Sequence, residues 1–214
     1  MLAVLPLQVA TALVASAPVD RGWHALSGGV TLVDARPRVN AVLPAPTGSF
    51  RIAWSFARAT DVGLRYSTVG LLSHDLGIFA RVRIASGPRW ALGAALEGAL
   101  CVVPWVPGED LVFLDLTARA TLAFSAMVSQ RVALHVEGSL TERFLEASFT
   151  GYGRFQDTVP VVRTVGGAVG VSWGTTASRR YTVRARVDAD PMGVMPGSVG
   201  GVFIGLSAEV TWLR

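Results

Sequence analysis

Apolar and polar positions alternate with a period of two from about residue 23 to the end of the chain. In the last segment Val202, Ile204, Leu206, Ala208, Val210 and Trp212 share one face, and Gly205, Ser207, Glu209 and Thr211 share the other. Successive side chains of a strand point to opposite sides, so this is a strand with one greasy and one polar face. The pattern predicts ten strands, at about 23–34, 49–59, 61–70, 75–86, 88–103, 110–124, 130–141, 160–174, 179–188 and 200–213. Each is long enough to cross a bilayer at a tilt, which takes ~9–11 residues.

The connections alternate in length. Tight links fall at Ala59-Thr60-Asp61, Ser86-Gly87-Pro88, Ala126 to Gln130 and Gly174 to Ser178. Longer ones span Asp34 to Gly48, Gly70 to Asp75, Pro104 to Asp110, Glu142 to Pro160 and Asp188 to Gly200. Short turns at one end, long loops at the other and a greasy face continuous from strand to strand predict an all-β fold. It is a closed antiparallel transmembrane barrel of about ten strands, with eight or twelve as alternatives. Two rivals share parts of the pattern: a helix over Trp90 to Val103, opposed by Glu97 at its centre and by Pro104 and Pro107 after it, and a soluble two-sheet sandwich.

Composition favours the membrane. Hydrophobic residues make up 51% of the 214 and charged ones only 16%, with a mean hydropathy of +0.46, whereas an ordinary soluble domain carries roughly a quarter charged residues. No apolar run after the N-terminus is long enough for a membrane helix. The net charge of +4 comes from dispersed arginines, without the basic stripe that marks nucleic-acid binding. Cys101 is the single cysteine, and no cofactor motif or metal-ligand spacing is present. Residues 1–17 read as a secretory signal with cleavage after Ala17, in the small-residue context Ala15-Ser16-Ala17, leaving 18–214 as one barrel domain. The rival reading of that segment is a further strand or an interior plug.

Parity then assigns side chains. On the inner face it places a charge network of Arg51, Arg65, Arg81, Arg83, Glu97, Asp115, Arg119, His135, Glu137, Arg184, Arg186, Asp188 and Glu209. Buried guanidiniums and carboxylates must pair, so the lumen is expected to be largely plugged. Small residues such as Gly63, Gly77 and Gly166 leave room for the long side chains. Arg163 has lipid-facing parity and is expected at the outer rim. Trp23, Trp54, Phe56, Trp90, Phe124, Trp173, Tyr181 and Trp212 gather near the tight-turn ends, as an aromatic girdle at the periplasmic interface would. Arg58, Arg179 and Arg180 are placed to snorkel there.

With these features the chain resembles a small bacterial outer-membrane β-barrel. The segment Phe203 to Trp212 looks like the terminal strand signal read by the barrel-assembly machinery, although Leu213 and Arg214 follow the aromatic that is commonly last. The resemblance implies a Gram-negative outer membrane as location, and lipid, lipopolysaccharide and the assembly machinery as partners. Three functions follow: a structural or narrow-channel, porin-like barrel; a binding or adhesion protein acting through loops such as 142–160 and 188–200; and an outer-membrane hydrolase. For the last, Asp188-Ala189-Asp190 and His74-Asp75 supply rim carboxylates and a histidine, as in omptin-type proteases, but without that family's Asp-x-His spacing. His24 and His135 have no serine partner evident from spacing, and no catalytic residue is assigned.

Overall fold

Alternation turns into eleven strands because the β-branched, leucine and aromatic residues at every second position can all reach one side of a pleated sheet. A computed structural model of the chain describes residues 22–34, 42–57, 59–69, 73–103, 111–129, 131–150, 153–157, 161–176, 179–189 and 202–213. The strands are β1 (Trp23–Asp34), β2 (Val42–Ala57), β3 (Thr60–Val69), β4 (Ser73–Gly87), β5 (Trp90–Val103), β6 (Leu111–Met127), β7 (Val132–Thr150), β8 (Gly153–Asp157), β9 (Val161–Thr176), β10 (Arg179–Ala189) and β11 (Val202–Leu213). Each is antiparallel to its neighbours. Pairing of β6 with β7, and of β1 with β11 from Trp23↔Leu213 to Thr31↔Gly205, closes the sheet into a barrel.

The barrel has ten staves. β9 pairs with β7 up to Arg143 and β8 pairs with it from Glu146 to Thr150, so β8 and β9 share one stave. Part of the 142–160 segment expected as loop is therefore a hairpin extension of the wall. β2 likewise begins earlier than expected, running through Pro44 and Pro46, and Trp90–Val103 is a strand rather than a helix. The proposed signal segment lies outside the described residues.

The outward face is an apolar belt. Leu26, Phe50, Leu64, Ile78, Leu96, Leu122, Val136, Val169 and Leu206 are all exposed on it. No outward position carries a charge from Trp90 to Val102 on β5, from Leu116 to Phe124 on β6, or from Val165 to Trp173 on β9. Soluble monomers rarely expose contiguous apolar patches beyond roughly a few hundred Å². A belt around the whole barrel requires lipid.

At the tight-turn end cross-strand aromatic stacks rim the belt: Trp90 on Phe124 at 6.2 Å, Trp173 on Tyr181 at 6.0 Å, and Trp212 on His24 at 5.1 Å. Trp54 and Phe56 also face outward. Trp23 does not belong to this girdle. It is 3% exposed and points into the lumen, because it shares parity with the small residues Ala25, Ser27 and Gly29. Arg180 is a second correction: it is buried on the inner face in line with Thr182 and Arg184, while Arg179 stays exposed at the rim. Arg58 lies outside the described residues. So does the Arg163 side chain, which falls where the β7–β9 register shifts by a residue and parity loses its meaning.

Candidate functional site in the barrel lumen

The inner face is polar, and the strand registers arrange it in three tiers. The tier nearest the tight turns is built on Asp61, which is 0% exposed. Its carboxylate accepts hydrogen bonds from Arg81 Nε at 2.8 Å, Arg81 Nη2 at 2.5 Å and Trp23 Nε1 at 2.9 Å. The Arg81 guanidinium lies 4.2 Å from the centre of the Trp23 ring, which packs against Phe79 at 5.9 Å. Trp23 is on β1 and Arg81 on β4, so the contact passes over two intervening staves. Gly63 permits it, since a Cβ there would collide with the Phe79 ring. Ala25, Ala53 and Leu213 fill the remaining space around this cluster.

At the same depth on the opposite wall, His135 Nε2 and Ser172 Oγ share a hydrogen bond, and Ser172 Oγ lies 2.7 Å from Thr182 Oγ1. Spacing gave no hint of this serine partner, because Ser172 is 37 residues from His135 and β8 intervenes between their strands. His135 is 2% and Ser172 0% exposed, and no described group bonds His135 Nδ1 to orient the ring as a base.

The middle tier pairs Arg51 with Glu209 at 2.5 Å, Arg65 with Glu97, and Arg184 with Glu137 at 3.6 Å. Thr211 Oγ1 adds a hydrogen bond to Glu209 at 3.2 Å. The outer tier centres on Asp188, held by Arg186 through two bonds of 2.5 and 2.9 Å and approached by Arg119 at 3.3 Å. Arg119 reaches it from β6 past β7 and β9, a second lumen crossing. Arg186 also donates to Ser139 Oγ at 2.8 Å, and Gly166 leaves the room Asp188 occupies. Beside this tier Asp75 accepts from Ser67 Oγ at 3.2 Å and lies 4.0 Å from Arg65.

Every residue of the expected network whose side chain is described lies on the inner face. The Asp115 side chain is outside the described residues. The expected network omits Asp61, Asp75 and Arg180, which bring the described lumen to eight arginines (51, 65, 81, 83, 119, 180, 184, 186) against six carboxylates (61, 75, 97, 137, 188, 209). Asp61 falls both in the tight link Ala59-Thr60-Asp61 and at the start of the expected strand 61–70, and its parity with Gly63, Arg65 and Ser67 carries the inward signal.

Each described rim residue of the hydrolase reading is bonded to a partner outside that set. His74 Nδ1 bonds the Tyr66 hydroxyl at 2.7 Å, Asp75 faces the lumen, Asp188 is held by two arginines, and Asp190 lies outside the described residues. Among the described residues no cluster of histidine, cysteine, aspartate or glutamate could hold a metal ion.

No family model and no curated protein matches the sequence. Solved structures do match its shape. The NanC porin aligns with a TM-score of 0.51 at 10% identity, covering 89% of this chain and all of that one, 100%. An outer membrane channel from Pseudomonas putida F1 gives 0.48 at 11% identity, over 92% of this chain and 96% of that one. The outer membrane protease OmpT from Escherichia coli gives 0.46 at 10% identity, over 94% and 99%. The fold is the closed antiparallel barrel of bacterial outer-membrane proteins, and the outer membrane is where such a lipid-facing belt resides.

Proposed function

We propose that this chain is an outer-membrane barrel of structural or narrow-channel type, with a charged lumen largely closed by its own side chains. The observation that carries the reading is the pair of lumen crossings, Trp23 over Arg81 and Arg119 to Asp188. Eight-stranded barrels have interiors that side chains just fill, whereas porins of roughly 16–18 strands leave an open aqueous channel. A ten-stave barrel crossed twice by arginine leaves a path for small ions at most, and its excess of arginine favours anions.

Planar-bilayer recording tests this. The wild-type barrel should give small steps with a weak anion preference, and Trp23→Ala with Arg119→Ser should raise conductance several-fold. Large ohmic steps from the wild type would overturn the reading. On the same reading the terminal strand from Phe203 to Trp212 is recognised by the assembly machinery, and the long-loop end meets lipopolysaccharide.

A further inference from the structure

The tight-turn end carries chemistry that a lumen-based function does not use. Three of its turns present one arginine each: Arg89 between β4 and β5, Arg131 between β6 and β7, and Arg179 at the start of β10. All three side chains are exposed. Among the described residues none of them is in an ion pair, and none of these turns contains a carboxylate.

The turns form a continuous arc. Met127 N–H donates to the Arg89 carbonyl at 2.7 Å, Gly174 N–H donates to the Arg131 carbonyl at 3.1 Å, and Arg180 Nη1 donates to the Arg179 carbonyl at 3.2 Å. The backbones are thus fixed while the guanidiniums stay free to reach outward. Directly above the arc stand two stacks of the girdle, Trp90 on Phe124 and Trp173 on Tyr181. Aromatic stacks mark the headgroup level of a bilayer, so the arginines sit at the depth of lipid phosphates. A guanidinium fork suits a phosphodiester better than a point charge does.

We propose that this arc is a binding surface for anionic glycerophospholipid headgroups, with the periplasmic leaflet as their source. The placement in that leaflet rests on the outer-membrane reading above. The recognition itself depends only on the arginines and the aromatic stacks. Its role is to hold the barrel at a fixed depth and to keep a shell of anionic lipid along the β4–β10 side.

The test uses the barrel refolded into vesicles and reads quenching of tryptophan fluorescence by brominated lipid. Trp90 and Trp173 lie beside the arc and report on it. Brominated phosphatidylglycerol diluted into phosphatidylcholine should quench about threefold more than brominated phosphatidylcholine at equal content, given how strongly each interfacial arginine attracts anionic lipid. Arg89→Gln with Arg131→Gln and Arg179→Gln should bring the two to equality, with gel mobility before and after boiling showing that the variant is folded. If that variant does not fold, ~1 M salt on the wild type should abolish the preference by screening.

Equal quenching in the wild type, a preference that survives in the folded triple variant, or, where that variant does not fold, one that survives salt, overturns the proposal. Loss of the preference on adding millimolar inorganic phosphate also overturns it, by showing a site for free phosphate rather than lipid. Failure of the outer-membrane reading would show separately, as absence of a heat-shifted band.

Discussion

Two carboxylates organise opposite halves of the lumen, and they do so under different conditions. Asp61 is wholly buried and receives three hydrogen bonds, one of them from the Trp23 indole N–H. Asp188 binds two arginines, yet its side chain is 15% exposed, and those of Arg119 and Arg186 are 23% and 26% exposed. The chemistry of the pairs is alike, and hydration separates them. A desolvated pair leaves a stranded charge when one partner is removed, whereas a wet pair is replaced by water at little loss. The first belongs to the stability of the barrel and the second to the resistance of the path through it.

The largest effect expected from this contrast is at Asp61. Asp61→Leu should destabilise the barrel by about 3–5 kcal/mol in urea unfolding from micelles, because Arg81 loses the buried carboxylate that takes two of its hydrogen bonds. Adding Arg81→Met should restore most of that loss, and a neutral single variant would break the comparison. Trp23→Ala should cost about 3 kcal/mol by the same measurement, since it removes a buried ring and one hydrogen bond to Asp61.

Arg119→Gln should shift stability by less than ~1 kcal/mol while moving the reversal potential in a salt gradient toward cations. A large stability loss there would show that the outer pair is as dry as the inner one. The smallest expected change is at Ala59, which has a φ of 67° in the β2–β3 turn while its carbonyl accepts from Arg83 N–H. Ala59→Gly should stabilise by about 0.5–1 kcal/mol, because glycine adopts that conformation without a Cβ penalty.

The contrast also marks how far the sequence could be read. Period-two parity placed the residues of the middle and outer pairs on one face, since Arg51, Arg65, Glu97, Arg119, Arg184, Arg186 and Glu209 lie inside alternating segments and Asp188, at the end of its segment, continues the parity of Arg184 and Arg186. Parity gave facing, but not which stave met which, so Arg119 with Asp188 could be put in one lumen without being paired. It failed at segment edges. Trp23 opens β1 and Asp61 nearly opens β3, and there the preference of aromatics for interfaces and of aspartate for turns outweighed a parity signal that was present. His135 with Ser172 was hidden for another reason. Their strands are separated in sequence by β8, a short strand that extends an existing stave rather than adding one, and only the β7–β9 register brings them to one depth.

The seam between β1 and β11 has a consequence for the order of events during folding. β1 completes its hydrogen bonds only with β11, so until β11 docks the wall keeps two unpaired edges however much of it has formed. Such edges invite pairing with other chains. Contacts between β1 and β11, the described strands farthest apart in sequence, also carry the largest loop-closure entropy among the described pairings. Closure of the barrel thus waits on β11, and a variant lacking Val202–Leu213 should aggregate rather than persist as a nine-stave barrel.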